Sequence, residues 1–423
     1  TLPNGKPVVL KADGTVEVVG ISVLPTSIPA GTEAVFNTAD SRDVVVAYDL
    51  NNANKFIVAY KDVGNSGYGT AIVGTVSGTS ISYGSEYVFN AGTTSNMDIA
   101  FDPSTSGSFV IIYNDGGNGE VGTAIAGTIA GTALTFGTES VYNAGGTWEQ
   151  GVAFDPNTAG KFVVGYQDAG NAEYGAAIVG TISGTSLSYG TEAIFASAPT
   201  RYVRVAFDTV TANILVISYT DNTSYASTGK CIVGTVSGTG LSYGTANTYH
   251  AATTRESSVA FSPTVAGKFV VAYKDDASSP ISGQCVVGTL SGTTISYGSL
   301  YTFNNASTTT PEIAFDPDSS TKFVVSYQDG GNSSYGTAIV GTVSGTTLSF
   351  SSEYVFNSGS TVYNRIAFDP NTVGKFVVAY KDSSNSSYGT AIIGQLTASV
   401  TNLTSTNFVG TSTAAYTNAE TAT

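Results

Sequence analysis

The sequence predicts an all-β fold, a seven-bladed β-propeller of four-stranded blades whose ring is closed by the N-terminal strand. Three observations lead there. First, the glycine that opens the phrase "GTVSGT" at Gly74 returns with near-copies of that phrase at Gly127, Gly180, Gly234, Gly288, Gly341 and Gly394, in steps of 53 or 54 residues. Second, each interval divides at turn signals into four strand-like runs. Four strands in about fifty residues is the size of one propeller blade, and about four to eight blades close a ring. Third, the ends are complementary. The seventh unit lacks a fourth strand, whereas "GTEAVFN" (31–37) copies the fourth-strand phrase "GSEYVFN" (84–90) with no other strands before it.

The elements follow in order. Residues 1–20 form an N-terminal arm containing the hairpin pattern "KPVVLKADGTVEVV" (6–19), residues 21–399 the propeller, and the Thr/Asn-rich residues 400–423 a C-terminal arm or linker. Within a unit the strands A to D read, in the sixth copy, "EIAFDP", "KFVVSYQD", "YGTAIVGTV" and "TLSFSSEYVFN". Strands B and C are apolar on both faces, as in "KFVVAY" (375–380), which suits a sheet packed between two neighbours. A parallel β-solenoid is the alternative, but its coils are shorter and lack this hairpin chemistry.

Hydrophobic residues make up 41% of the 423, enough for a sizeable core, and a net charge of −15 disfavours phosphate backbones and anionic lipid surfaces. Nucleic acid and membrane are therefore not expected partners. Gly, Ser or Thr interrupts every apolar run well before the ~20 residues that span a bilayer. The sequence opens without Met or a charged-then-apolar leader, as a processed or partial chain would. Cys231 and Cys285 take the place of the repeat alanine found at Ala71, Ala124, Ala177, Ala338 and Ala391, and read as small buried thiols rather than a disulfide.

Several recurring columns read as scaffold. An Asp follows the strand-B Tyr by two positions in every unit (Asp62, Asp115, Asp168, Asp221, Asp275, Asp329, Asp382). The surrounding "DVGNSGYG" pattern lacks the alternating oxygen ligands of a calcium loop, so these carboxylates are expected to accept backbone N–H bonds in the turn. Asp49, Asp102, Asp155, Asp208, Asp316 and Asp369, with Ser262 in the fifth unit, end strand A in the same way. The Phe column through Phe56 and the Tyr column through Tyr60 are blade-to-blade packing. Sequons at Asn332 and Asn385 fall where other units carry turn asparagines.

Function is expected where the copies diverge. The A–B and C–D turns are nearly uniform, whereas the D–A connections vary freely. All five arginines (Arg42, Arg201, Arg204, Arg255, Arg365), the one Trp, the one His and the one Met lie in those connections or at the start of strand A. Trp148, Arg201, Tyr202, Arg204, His250 and Arg255 fall on three consecutive connections and form the candidate binding sector. Beside them lie the divergent B–C loops at 221–230 and 275–284. Aromatic faces with Arg donors favour an anionic surface glycan as ligand. Glu312 with Arg365 and Asp98 with Arg204 share one repeat position and are expected only to pair or to be solvated around the channel mouth. No enzyme is expected: a single His serves a Ser-His-Asp arrangement poorly, and Glu149 with Glu256 is the one acid pair at matched positions. No cofactor or metal is implied.

The "GKFVVAYKD" and "YGTAIVGTVSGT" repeats, the opening "LPNGKPVVLKADGTVEVV" and the ending "VTNLTSTNFVGTSTAAYTNAETA" together resemble virion proteins of tailed bacteriophages, especially those of marine cyanobacterial phages. The resemblance implies a tail-fibre, spike or capsid-associated component on the particle surface. Its arms would join other virion proteins or drive homo-oligomerisation, and its binding face would meet host surface polysaccharide. A secreted polysaccharide-active enzyme and a bacterial surface adhesin are the alternatives.

Overall fold

Each repeat folds as an antiparallel meander in which A pairs with B, B with C and C with D. In the seventh repeat, for example, Arg365 stands opposite Ala379 and Ala379 opposite Ala391. The computed structural model describes residues 8–10, 16–18, 28, 31–223 and 227–396. Residues 1–26 and 398–423 group as one unit and residues 27–397 as another. In the first, Val8–Leu10 pairs antiparallel with Val16–Val18, Val9 opposite Glu17. The expected C-terminal arm at 400–423 lies outside the described residues. The second unit is all-β: one antiparallel sheet system of 26 strands, interrupted among the described residues only by turns and short 3-10 segments.

The strand Tyr388–Gln395 pairs with Ala34–Tyr48, at the other end of the described unit, with Ala391 opposite Ala34. Ala34–Tyr48 pairs onward with Lys55–Asp62, Val46 opposite Val58. A side-chain bond repeats this relation. Tyr60 Oη donates to Glu86 at 2.7 Å, Tyr113 to Glu139 at 2.7 Å and Tyr327 to Glu353 at 2.7 Å, each between strands B and D of one repeat. In the seventh repeat Tyr380 donates to Glu33 at 2.9 Å, a carboxylate from the N-terminal segment.

The recurring glycine of the opening phrase is explained by packing. A Cβ on Gly74 would lie 2.1 Å from the ring of Phe56, and on Gly341 2.0 Å from that of Phe323. The strand-B ring therefore lies flat against bare strand-C backbone, and these Phe side chains are fully buried. In the fourth repeat Leu215 replaces Phe, and the clearance at Gly234 widens to 2.8 Å. Cys231 and Cys285 are buried free thiols, as expected.

Both aspartate columns are spent on turns. Asp115, Asp168 and Asp329 accept the amides of Gly117, Gly170 and Gly331 at 3.0, 3.0 and 2.9 Å. Asp102 and Asp369 accept the amides two residues on, from Ser104 and Asn371, at 2.9 Å each. The D–A connections differ from expectation. Most are not loops: strand D of one repeat runs directly into strand A of the next, as in Ser140–Phe154 and Tyr354–Phe368, with a break only at 305–307 between Thr294–Asn304 and Thr308–Phe315. The chain stays extended there because it pairs with strand C of its own repeat first and with strand B of the next afterwards.

Candidate functional site

Every D–A strand carries a bulge at one repeat position. The register with strand B slips between Arg42 and Val45, Ser95 and Asp98, Trp148 and Gly151, Arg201 and Arg204, Arg255 and Ser258, Thr309 and Glu312, and Val362 and Arg365. The first slipped residue takes a left-handed backbone each time: Asp43, Asn96, Glu149, Tyr202, Glu256, Thr310 and Tyr363, with φ between 48° and 55°. Asn and Asp tolerate that conformation; Thr, Tyr and Glu adopt it only where surrounding structure holds them. The bulge re-aims these side chains. All seven line one cavity of about 220 Å³, so every repeat contributes the same position to a single site.

The residues two positions further on make an ion-pair cluster, of which Arg204, Glu312 and Arg365 line the same cavity. Glu312 Oε1 accepts a bond from Arg365 and lies 3.6 Å from the Arg204 guanidinium, while Oε2 accepts from Ser258 Oγ at 2.9 Å. Three other repeats thus converge on one carboxylate. Burial disfavours the Arg204 cation, but Glu312, Asp98 and Glu149 outweigh it and hold its pKa above the ordinary guanidinium value. Asp98 accepts the Val152 amide at 2.9 Å, and its burial raises its pKa against the pull of Arg204. Burial likewise raises the pKa of Asp43, opposed by Lys61, Arg365 and Arg42. Bonds between neighbouring repeats brace the ring: Gln150 donates to the Asn96 carbonyl at 2.5 Å, Asn364 to that of Thr310 at 2.9 Å and Ser257 to that of Tyr202 at 3.3 Å. The Thr310 amide donates to Glu256 at 2.5 Å.

Of the six residues expected to bind, Tyr202 and Arg204 line the cavity. Trp148, Arg201 and Arg255 occupy the position just before the left-handed residue, opposite Gln167, Thr220 and Lys274 of strand B, and outside the cavity lining. Arg255 Nε lies 2.8 Å from Asp276, and Arg201 3.9 Å from Glu173. His250 is inside the fourth repeat's D strand, its Nδ1 2.9 Å from Thr254 Oγ1 and its Nε2 3.7 Å from Asp275. It fills the role that Asn90 plays toward Thr94 and Asp115, at 3.2 and 3.1 Å. Each guanidinium of the expected sector therefore meets a carboxylate, so the sector is not the bare cationic surface an anionic glycan would require. Asp43, Asn96, Thr310 and Tyr363 escaped notice in the sequence, although their column is polar or aromatic in every repeat. The expected pairing of Glu312 with Arg365 is present, and Glu149 and Glu256 both reach the cavity.

No family model matches this chain, and no curated protein does. Solved structures do. The Sqt1 protein of Chaetomium thermophilum, bound to the N-terminus of the ribosomal protein L10, matches at 14% identity with a TM-score of 0.52, over 85% of this chain and 86% of that one. The Sqt1 of Saccharomyces cerevisiae matches at 12% identity and a TM-score of 0.51, over 87% and 98%. These likenesses overturn the expectations drawn from the phage resemblance. A tail-fibre or spike function, virion partners reached through the arms, self-assembly for that purpose, a host-polysaccharide ligand and a place on the particle surface do not stand, because the structures this chain resembles are of Sqt1, whose solved partner is a ribosomal protein segment. At such low identity the likeness establishes the fold alone, and Sqt1 is a β-propeller.

Proposed function

We propose that this chain is a seven-bladed propeller closed by its N-terminal strand, and that it acts without catalysis as a binding module for a polypeptide segment of a protein partner. The closure rests on the Ala34–Tyr48 strand, which stands to the seventh repeat in the register and with the Tyr–Glu bond that strand D shows in the others. The single observation that carries the function is the convergence of seven bulged side chains on one cavity. At about 220 Å³ the cavity is smaller than the ~300–1,000 Å³ of pockets that enclose whole small molecules, and matches one side chain or chain end. The rigid frame would hold that end with little ordering entropy lost on binding. A propeller of similar course solved with the N-terminus of another protein bound supports the ligand class. The absence of catalysis is supported by the commitment of Glu312 to two arginines and by the place of His250, outside the cavity lining.

The test is selection from a randomised peptide library on the immobilised protein, with binding of the enriched peptides measured against variants. Tyr202→Ala and Tyr363→Ala should weaken them, while Asn157→Ala, in an A–B turn, should not. Enriched peptides that bind all three variants like the wild type, or no enrichment over bare matrix, would overturn the reading.

A further inference from the structure

We propose that the bound segment is basic, and that the cavity takes one cationic head, a lysine ammonium or arginine guanidinium, between the carboxylates of Asp43, Glu149 and Glu256 and the rings of Tyr202 and Tyr363. This rests on the polypeptide reading above and names the chemistry of its ligand.

The cavity lining holds four carboxylates and two guanidiniums, a net charge of −2. Both guanidiniums pair with Glu312, the fourth of these carboxylates. The remaining three carboxylates come from the first, third and fifth repeats, so they stand on alternate repeats rather than side by side. Tyr202 comes from the fourth repeat, between two of the acids, and Tyr363 from the seventh. Their rings offer the negative faces that attract a cation, an attraction that strengthens when water is excluded. Met97, Val44 and Pro311 supply apolar wall against which the methylene stem of a long basic side chain packs. A carboxylate or phosphate entering the same space would meet three acids, and the two arginines there are already paired with Glu312. A neutral side chain would add no counter-charge to the net −2 of the lining. Burial raises the pKa of Asp43 even against the pull of Lys61, Arg365 and Arg42, and a further cation beside it would favour its charged form.

Calorimetric titration with N-acetylated hexalysine, hexaserine and hexaglutamate amides at near-physiological salt tests this. Hexalysine should bind and the other two should not. The double variant Glu149→Gln/Glu256→Gln should weaken hexalysine at least tenfold, since glutamine keeps an acceptor for the Thr310 amide but removes the charge. Asp318→Asn, an exposed acid of an A–B turn, should leave it unchanged. Equal hexalysine affinity in the wild type, the double variant and Asp318→Asn would assign the binding to overall acidity and overturn the proposal. Library peptides that need Tyr202 and Tyr363 yet are neutral or acidic would overturn the basic-segment inference and leave the polypeptide reading standing. Failure of both library and hexalysine at the cavity would remove both.

Discussion

Replacing Glu312 by alanine removes the one carboxylate that serves two arginines. The loss strands Arg204 of the fourth repeat, Arg365 of the seventh and the Ser258 hydroxyl of the fifth, all of which meet Glu312. Breaking a fully buried pair by deleting one partner costs roughly 3–5 kcal/mol, most of it from the charge left behind. Here the side chains keep 13% of their exposure on Glu312 and 21% and 23% on Arg204 and Arg365, so water screens part of the loss. The expected destabilisation is therefore about 2–3 kcal/mol. Urea denaturation followed by the fluorescence of Trp148 and by far-ultraviolet circular dichroism measures it as a lowered midpoint at unchanged slope. Glu312→Gln, which keeps an acceptor for Ser258, should fall between. Leucine at 204, 312 and 365 together should recover part of the loss, because neither guanidinium is then left without Glu312, while Asp98 still loses the pull of Arg204. A Glu312→Ala midpoint within about 0.5 kcal/mol of the wild type, or a triple variant worse than the single, would refute the reasoning.

Four further outcomes are expected. Gly74→Ala places a methyl 2.1 Å from Phe56 and should destabilise by roughly 1–3 kcal/mol, with partial rescue by Phe56→Leu on the pattern of Leu215 with Gly234; equal melting of single and double variants would contradict this. Deleting residues 31–40 removes the partner of Tyr388–Gln395 and should leave an unpaired edge that aggregates, measured by light scattering; a monodisperse product with the parent melting temperature would count against ring closure. Burial pushes the Cys231 thiol up to about 12, so iodoacetamide should label it only on global unfolding, and rapid labelling of the native protein would contradict that placement. Asp43→Asn should stabilise the protein at neutral pH. The Asp43 pKa is raised by burial in the folded state, so its stabilising contribution is full below the unfolded carboxylate pKa and is lost as pH rises through the folded one. The pH-dependent part of the asparagine gain should therefore vanish in acid, and a gain that grew as pH fell would reverse the sign and refute it.

The scaffold was legible because its requirements are steric and recur in nearly every repeat. Phe56 can pack against strand C only if residue 74 has no side chain, and the same restriction writes glycine at 127, 180, 288, 341 and 394. Asp115 must cap its turn, and so must its counterparts. The complementary ends were legible for the same reason, since "GTEAVFN" keeps the Glu that Tyr380 needs. The site was only half legible. Arginine scarcity drew attention to the strands that line the cavity, but rarity marks a residue, not its direction. Trp148 and Glu149 are neighbours in sequence, and the bulge sends one alongside strand B and the other into the cavity. A one-residue register slip is invisible to composition, and five of its occupants, Glu149, Tyr202, Glu256, Thr310 and Tyr363, lack the Asn, Asp or Gly signature of a left-handed turn.

That slip also explains how a monotonous repeat carries an individual site. The bulge is fixed by the ladder around it, with paired residues on both sides and bonds such as Asn364 to the Thr310 carbonyl reaching between neighbours. Its backbone geometry therefore does not depend on which side chain it bears. A single column can vary through Asp, Asn, Glu, Tyr and Thr while the φ angle stays within a few degrees, from 48° to 55°. The strain of holding non-glycine residues there, of order 1–3 kcal/mol each, is spread over a sheet whose strand-B side chains are almost wholly buried. On the proposed binding function, specificity would be written by substitution at those seven positions and stability by the ladder between them. Exchanging the residues of that column should change what binds without changing the fold, whereas exchanging Gly74 or Phe56 should do the reverse.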